Sequence, residues 1–159
     1  MHIRRAFLQD IETLVHHHDA MFRDIYTANG MTVDESAFTA MKDAYREKLD
    51  KQLTDDGCAA WVIETGGAVA ASASISLFES VPIPLDPNYK IAFMHSVYTE
   101  PRFRRRGFAG KLVATIQTYC SEKGINRIDL TASDAGRPLY DSLGFRPVLA
   151  AMRFNRLAS

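Results

Sequence analysis

Apolar residues recur at helical spacing in three long stretches of the chain. Residues 10–26 and 32–57 carry such a stripe near the N-terminus, and residues 106–124 carry the third. Asp10 precedes the first stripe as a candidate N-cap, and a shorter helix is predicted over residues 134–144. The stripes consist of Ile11, Leu14, Val15, His18, Met21, Phe22 and Ile25; of Phe38, Met41, Tyr45 and Leu49; and of Phe108, Leu112, Ile116, Tyr119 and Cys120.

The other apolar segments have the length and alternation of strands. A glycine pair at positions 66 and 67 separates two of them and predicts a two-residue hairpin turn. Residues 80–90 contain three prolines and are predicted to form a loop. The predicted strands cover residues 3–8, 58–65, 68–79, 91–99, 125–133, 145–149 and 152–158.

The order of these elements predicts one α/β domain over residues 1–159. The hairpin requires antiparallel pairing, whereas the strand–helix–strand unit over residues 91–132 implies a parallel crossover. We therefore expect a mixed, mostly antiparallel sheet of six to seven strands with helices on both faces.

Composition narrows the class of protein. The 159 residues are 47% hydrophobic and 24% charged, which suits a globular domain with a real core. Nineteen Lys and Arg residues balance nineteen Asp and Glu residues, and the sequence pI is about 7.0. A dedicated nucleic-acid binder usually has a broad basic face, so this balance disfavours that class.

The cysteines and the N-terminus point to a cytoplasmic, soluble domain that does not bind membranes. Cys58 and Cys120 lie far apart in apolar patterns, which favours small buried side chains over a disulfide or a zinc site. The first residues lack the apolar core of a signal peptide, and no apolar run has the length of a membrane span.

Residues 104–111, RRRGFAGK, combine cations, small residues and the start of a helix. The free N–H groups and the dipole of a helix N-terminus favour an anion. Gly107 and Ala109 let a bulky anion approach the backbone, and arginines 104–106 add charge. A diphosphate of a small molecule fits this segment better than a nucleic-acid backbone.

Other interpretations of this segment have less support from its residues or assign it no ligand. The segment is neither a Walker A loop nor a dinucleotide-binding fingerprint, because the required glycines and lysine are missing. A basic first helical turn without any ligand is the plain structural alternative. A nucleic-acid site over residues 102–111 is the other one, and it predicts strongly salt-dependent binding.

Two segments together resemble the GNAT superfamily of acyl-CoA-dependent N-acetyltransferases. Arg104, Gly107 and Ala109 fill the family's Q/R-x-x-G-x-G/A loop pattern. Downstream, Tyr140 and the Gly-Phe pair at 144–145 match a tyrosine and a GF that members tend to carry. The resemblance covers roughly residues 58–157 by element order and is specific over 97–145.

The resemblance implies a sheet that splays between its fourth and fifth strands and holds acetyl-CoA in the split. The pantetheine arm then pairs with the backbone of Val97 and Thr99, and the diphosphate rests on N–H groups of residues 104–110. Ser133 stands where many members have Asn, and its hydroxyl either caps the helix or bonds the cofactor arm. The implied cofactor-binding residues are Val97, Tyr98, Thr99, Arg104, Arg105, Arg106, Gly107, Phe108, Ala109, Gly110 and Ser133.

Acetyl transfer to a primary amine requires an acid for the leaving thiolate and removal of a proton from the amine. A phenol is a suitable acid for a thiolate, so Tyr140 is the candidate, with packing under the short helix as the alternative. His95 is the candidate base, because residues 93, 95, 97 and 99 of a regular strand share one face. A histidine bonded within the sheet, or proton loss to solvent, is the alternative.

The acceptor and the partners stay open at this stage. We expect a small-molecule or peptide amine, an apolar slot formed by Phe22, Tyr26 and Met31, and Asp24 or Asp34 as a partner for an ammonium. No metal is expected, because three consecutive helical histidines at 16–18 cannot converge on one ion. A homodimer is possible by resemblance, and a non-catalytic acyl-CoA sensor is the alternative function.

Overall fold

The computed structural model describes residues 1–148, 152, 155 and 156. Within these residues, helices lie on both faces of a five-stranded sheet. The helices are α1 (Ile11–Ala28), α2 (Glu35–Gln52), α3 (Phe108–Glu122) and α4 (Arg137–Ser142). The strands are β1 (His2–Arg5), β2 (Cys58–Thr65), β3 (Ala68–Glu79), β4 (Lys90–Thr99) and β5 (Ile128–Leu130).

The strands lie side by side in chain order, β1-β2-β3-β4-β5. The pairs from β1 to β4 are antiparallel, and β4 pairs with β5 in parallel across α3. The predicted hairpin turn is confirmed, because Gly66 and Gly67 join β2 to β3 with φ of 59° and 76°. The mixed, mostly antiparallel sheet is therefore confirmed.

Alternation along β2 divides the core into two layers. Trp61 and its alternate neighbours pack toward α3, and Trp61 is 5% exposed, as expected for a core residue. Cys58, Ala60 and Val62 face the opposite way and pack with α1 and α2. Both cysteines are free and buried, as predicted. None of the helices in the described ranges is long and apolar enough to cross a lipid bilayer.

The strand count was predicted too high for the part of the chain that the structure describes. Residues 145–148 of the predicted sixth strand are not in a strand, and most of the predicted strand at 152–158 lies outside the described residues. Phe145 N–H donates to Tyr140 O at 3.0 Å and so closes α4, and Pro147 has no N–H for a ladder. The fifth strand is also shorter than its predicted range of 125–133.

Asp10 does not cap α1 with its side chain, contrary to the prediction. The carboxylate turns back instead and accepts bonds from Phe7 N–H at 2.8 Å and from both terminal nitrogens of Arg4 at 2.8 and 2.9 Å. This bidentate ion pair holds β1 against the start of α1 and lowers the pKa of Asp10.

Strand β4 contains a bulge that changes which side chains share a face. Pairing with β3 shifts by one residue between Ser72 and Ser74, and Ser96 has a φ of 56°. Strict alternation had placed His95 and Val97 on one face, and this prediction is wrong. Val97 packs toward the α3 core, while the side chains of His95 and Ser96 both face α1 and α2.

Candidate active site

The loop between β4 and α3 presents a row of free backbone N–H groups. Within the described ranges, the N–H groups from Arg105 to Gly110 donate to no acceptor, and the first bond of α3 runs from Lys111 N to Gly107 O at 3.1 Å. Arg105 and Gly107 have φ of 61° and 75°, and such left-handed residues turn neighbouring N–H groups toward one side. The N–H of Arg104 donates to a carbonyl at 3.3 Å, so the row begins one residue later than predicted.

The arginine side chains of this loop point less toward the row than the sequence suggested. Arg104 donates from Nη2 to Asp24 Oδ2 at 2.6 Å and from Nε to Thr99 O at 3.0 Å. The guanidinium of Arg106 lies 5.5 Å from the centre of the Phe103 ring. The anion-binding capacity of this loop therefore comes first from its backbone and from the dipole of α3.

Strand β4 is paired with β5 over only part of its length. The register joins Ala92–Met94 to Ile128–Leu130 and ends there. Beyond Met94, β4 has no neighbour on this side among the described residues. The C-terminal half of β4 therefore offers unpaired backbone groups along one edge, which leads directly to the α3 loop.

Val97 and Thr99 direct their N–H groups to this open edge. Glu100 N–H donates to Ala70 O on the β3 side at 2.9 Å. Because N–H groups alternate along a strand, the N–H of Tyr98 faces β3 as well, and those of Val97 and Thr99 face away from it. Val97 and Thr99 are the two residues whose backbone the resemblance assigned to the cofactor arm.

Tyr140 lies on α4 beside the start of α3. Its ring meets the Phe145 ring edge-on at 5.7 Å, and its hydroxyl makes no hydrogen bond within the part of the chain that the structure describes. Leu139 Cδ1 lies 3.5 Å from the position that a Cβ would take at Gly110, so α4 packs against the first turn of α3. Burial raises the pKa of the Tyr140 phenol.

Ser133 closes the turn before α4. Its Oγ accepts from Gly136 N–H at 3.2 Å, and its backbone carbonyl accepts from the same N–H at 3.0 Å. Ser133 therefore holds the turn just before the helix and does not cap α4, whose N-cap is Gly136. The hydroxyl hydrogen is still available for a further acceptor.

Three alternate serines of β3 form a polar row that faces α1 and α2. This row was not predicted from the sequence. Each serine bonds a ring from another element, and the Oγ–ring-atom distances are short. Ser72 lies 2.8 Å from His17 Nδ1, Ser74 accepts from the Tyr45 hydroxyl at 3.2 Å, and Ser76 lies 3.0 Å from His95 Nε2. The S-x-S-x-S pattern at residues 72–76 within an apolar strand was the available signal.

Ser96 joins two histidines at the bulge. Its Oγ lies 2.7 Å from His18 Nδ1 and 2.9 Å from His95 Nδ1. The His18 ring stacks on Tyr45 at a centroid distance of 4.1 Å and meets Phe22 edge-on at 5.0 Å. Burial lowers the pKa of His18 to about 4 and that of His95 to about 3, so both rings are neutral at pH 7.

Glu100 lies next to two further histidines. Its Oε1 is 3.3 Å from His16 Nε2 and 3.4 Å from His17 Nε2. Because His17 is fully buried, burial outweighs the carboxylate and lowers its pKa to about 4. A carboxylate only accepts, so Nε2 of His17 carries the proton and the hydroxyl of Ser72 donates to Nδ1.

The residues proposed for the acceptor have structural partners. Asp34 accepts from two N–H groups and caps α2, and Asp24 accepts from Arg104. Of the predicted slot, Tyr26 packs edge-on against Phe38 at 5.1 Å, and Met31 is 52% exposed. Neither aspartate is therefore a free partner for an ammonium.

Comparison with known proteins agrees with this fold. The acetyltransferase (GNAT) family model matches residues 18–145. The chain superimposes on a GCN5-related N-acetyltransferase from Ralstonia eutropha with a TM-score of 0.86, 29% identity and 97% coverage of both chains. A predicted acetyltransferase from Clostridium acetobutylicum, solved with acetyl-CoA, gives a TM-score of 0.85 at 23% identity, with 98% of this chain and 96% of that chain covered.

A curated relative is matched over a shorter stretch. This is the aminoglycoside N(6')-acetyltransferase type 1 of Serratia marcescens, which is 34% identical over 59 residues. The match spans 35% of this chain and 40% of that relative's length. The family match and these relatives show that the protein is an acyltransferase. The chain belongs to the acetyltransferase (GNAT) family.

Proposed function

We propose that the chain is an N-acetyltransferase that moves an acetyl group from acetyl-CoA to a primary amine of a small molecule or peptide, by direct attack in a ternary complex. The observation that carries this proposal is the row of free N–H groups from Arg105 to Gly110, which continues the open edge of β4. A diphosphate needs several donors at one place, and a pantetheine arm has amide groups for a strand edge. The donors present fit both parts of coenzyme A.

In this proposal the sheet splays beyond the pairing of Met94 with Leu130, and the arm lies in the gap. The backbone of Val97 and Thr99 holds the arm, with Tyr98 between them. The loop and first turn of α3, residues 105–110, hold the diphosphate. Arg104 contributes by fixing Thr99 O, and Ser133 by fixing the turn before α4.

Acetyl-CoA supplies an acetyl group activated as a thioester. The Val97 N–H donates to the acetyl oxygen as negative charge develops on it. Tyr140 donates its phenolic proton to the departing sulfur, and its raised pKa keeps that proton in place at neutral pH. The expected base, His95, has both ring nitrogens bonded, to Ser76 and Ser96, so its role on the amine side is to hold Ser96 in place.

Acetyl-CoA binding by calorimetry, followed by thiol release, tests this function. The acceptor panel contains an aminoglycoside (kanamycin A), a polyamine (spermidine), glucosamine 6-phosphate and a lysine-containing peptide. We expect saturable binding of acetyl-CoA and release of coenzyme A with at least one amine. Binding without release over a broad panel would support the sensor alternative, and absence of binding would refute both.

A further inference from the structure

At the contact between α1 and the bulge of β4, His18 has one bonded ring nitrogen and one without a bond to the described residues. The Nδ1 atom of His18 lies 2.7 Å from Ser96 Oγ, while its Nε2 makes no hydrogen bond within the described ranges. The side chain is half-buried, and Nε2 is not among the buried nitrogens and oxygens left without a partner. Nε2 therefore retains access to solvent or to a bound molecule.

The surroundings of His18 set the direction from which its Nε2 faces the proposed position of the acetyl group. Ser96 directly precedes Val97, whose N–H faces the open edge where the acetyl group is proposed to lie. The His18 ring is held between Tyr45 and Phe22, so its direction is fixed by packing. A base at this point approaches the edge from the α1 and α2 side, opposite to Tyr140, which lies on the α3 side.

The hydroxyl of Ser96 limits the tautomers of its neighbours. The Ser96 hydroxyl has one hydrogen and three neighbours that could accept it: His18 Nδ1, His95 Nδ1 and the Tyr45 hydroxyl. It can donate to only one of them at a time. When that hydrogen goes to His95 or to Tyr45, His18 must donate from its own Nδ1. Its Nε2 then carries a free lone pair.

We propose that His18 is the proton acceptor of the transfer, and that Ser96, with His95 behind it, holds His18 in the tautomer protonated on Nδ1. This inference rests on the proposed function. It names His18 as a catalytic residue, since it touches the amine. Ser96 and His95 act through it and are positioning residues.

The proton balance of the step is simple. The acceptor enters as a free amine, whose nitrogen forms a bond to the acetyl carbon as the carbon–sulfur bond breaks. The nitrogen becomes far more acidic as it bonds to that carbon, and its proton moves to Nε2 of His18. The sulfur takes its proton from Tyr140, and the His18 imidazolium then gives its proton to water, from which Tyr140 is reprotonated.

The low basicity of His18 agrees with this timing. A ring with a pKa of about 4 is neutral at pH 7 and, although it is a weak base, it can accept a proton from a nitrogen that bonding to the acetyl carbon has made acidic. The charged and titratable groups around it are Asp19 on α1, Tyr45 on α2 and His95 on β4, and Lys48 on α2 acts on His95 behind it. Removal of the first proton from an alkylammonium is left to solvent.

Nitrogen-15 spectra of the histidine rings in the full chain test the tautomer without any acceptor. We expect His18 to be neutral at pH 7 with its proton on Nδ1, and Ser96→Gly to abolish this preference. Glycine is chosen because it accepts the left-handed backbone at this position. A proton on Nε2, or an imidazolium at pH 7, would overturn the inference.

Kinetics separate catalysis from structure. His18→Asn retains an N–H near the position of Nδ1 for Ser96 and lacks a base at Nε2. With the amine that wild type acetylates fastest in the panel above, we expect kcat to fall by about 100-fold and the Kd of acetyl-CoA to stay within about twofold. His16→Gln, on the neighbouring ring that is 64% exposed, should retain wild-type kcat.

The outcomes distinguish this inference from the proposed function. Loss of acetyl-CoA binding in wild type contradicts the function itself. Normal binding and transfer in wild type, with unchanged kcat in His18→Asn, contradicts the role of His18 alone.

Discussion

The carboxylate of Asp24 on α1 lies 2.6 Å from the guanidinium of Arg104, across the open end of β4. The same guanidinium holds Thr99 O through Nε at 3.0 Å. Arg104 thus links α1 to the loop that carries the free N–H row. By binding the guanidinium, Asp24 keeps the positive charge of Arg104 away from that row. Both side chains are about half exposed, at 45% and 54%, so the pair itself contributes little to stability.

Asp24→Asn should therefore tighten acetyl-CoA binding. The substitution removes a negative charge near the proposed diphosphate site and lets Arg104 turn toward that site. We expect the Kd to fall by up to about fivefold, equivalent to about 1 kcal/mol, measured by calorimetry at low salt. Asp43→Asn, on the exposed face of α2, is the control and should leave the Kd unchanged. Weaker binding in Asp24→Asn would show that the pair helps to shape the loop.

Gly107→Ala tests the backbone of the loop. A Cβ at Gly107 meets nothing within 4 Å, so the effect comes from its φ of 75° alone. We expect acetyl-CoA affinity to fall at least about tenfold, because relief of the strain turns the N–H row away from its common side, and a strain of about 1 kcal/mol or more is typical.

Gly30→Ala is the matched control for this substitution. Gly30 has a φ of 63° and equally open surroundings, but it follows α1 rather than the loop. Both variants should lose similar stability in thermal unfolding, and only Gly107→Ala should lose affinity. Equal affinities for acetyl-CoA in the two variants would contradict the assignment of the loop.

The sequence predicted most of the fold, because helices, hairpin and crossover each leave a local signal. The stripe of α2 identified Phe38, Tyr45 and Leu49, and all three are buried. The extra residue in β4 left no such signal, since a bulge is set by pairing with the neighbouring strand. That one residue moved His95 away from the face of Val97.

Tyr140→Phe tests the proposed role of Tyr140 as the acid that protonates the departing sulfur. The ring retains its contact with Phe145, so only the proton donor is lost. We expect kcat to fall by about 100-fold with acetyl-CoA affinity unchanged, read from thiol release and calorimetry. Tyr119→Phe removes a hydroxyl from the same side of the sheet without touching the proposed site, and it should retain activity. Parallel losses of kcat and affinity in Tyr140→Phe would indicate packing rather than proton donation.

Part of the candidate site can be inferred from the sequence, because its main element is backbone. Glycine at 107 and the start of a helix are visible in the sequence, and they define the N–H row. The direction of a long side chain is not visible, and Arg104 turns to Asp24 because α1 happens to present a carboxylate there. Of the histidines at 16–18, His16 and His17 share Glu100 and His18 bonds Ser96, and the sequence alone did not indicate these partners.

The buried histidines predict loss of stability in mild acid. Burial lowers the pKa of His17 and His18 to about 4 and that of His95 to about 3, below the ordinary value of 6.5. The unfolded chain therefore binds more protons than the folded chain between about pH 6.5 and pH 4. Stability from these groups is fully present above pH 6.5 and is lost as the pH falls toward 4. Each histidine contributes a slope of up to about 1.4 kcal/mol per pH unit.

Urea unfolding measured between pH 7.5 and 4.5 checks this slope. His18→Asn should flatten it by about one proton, since the amide does not titrate. Protonation of Asp10, whose pKa is lowered by Arg4, adds its loss only at the acid end of the range. A wild-type slope equal to that of His18→Asn would mean that the His18 ring charges in the folded state near pH 6.5. The burial of that ring at the bulge of β4 would then not disfavour its charged form.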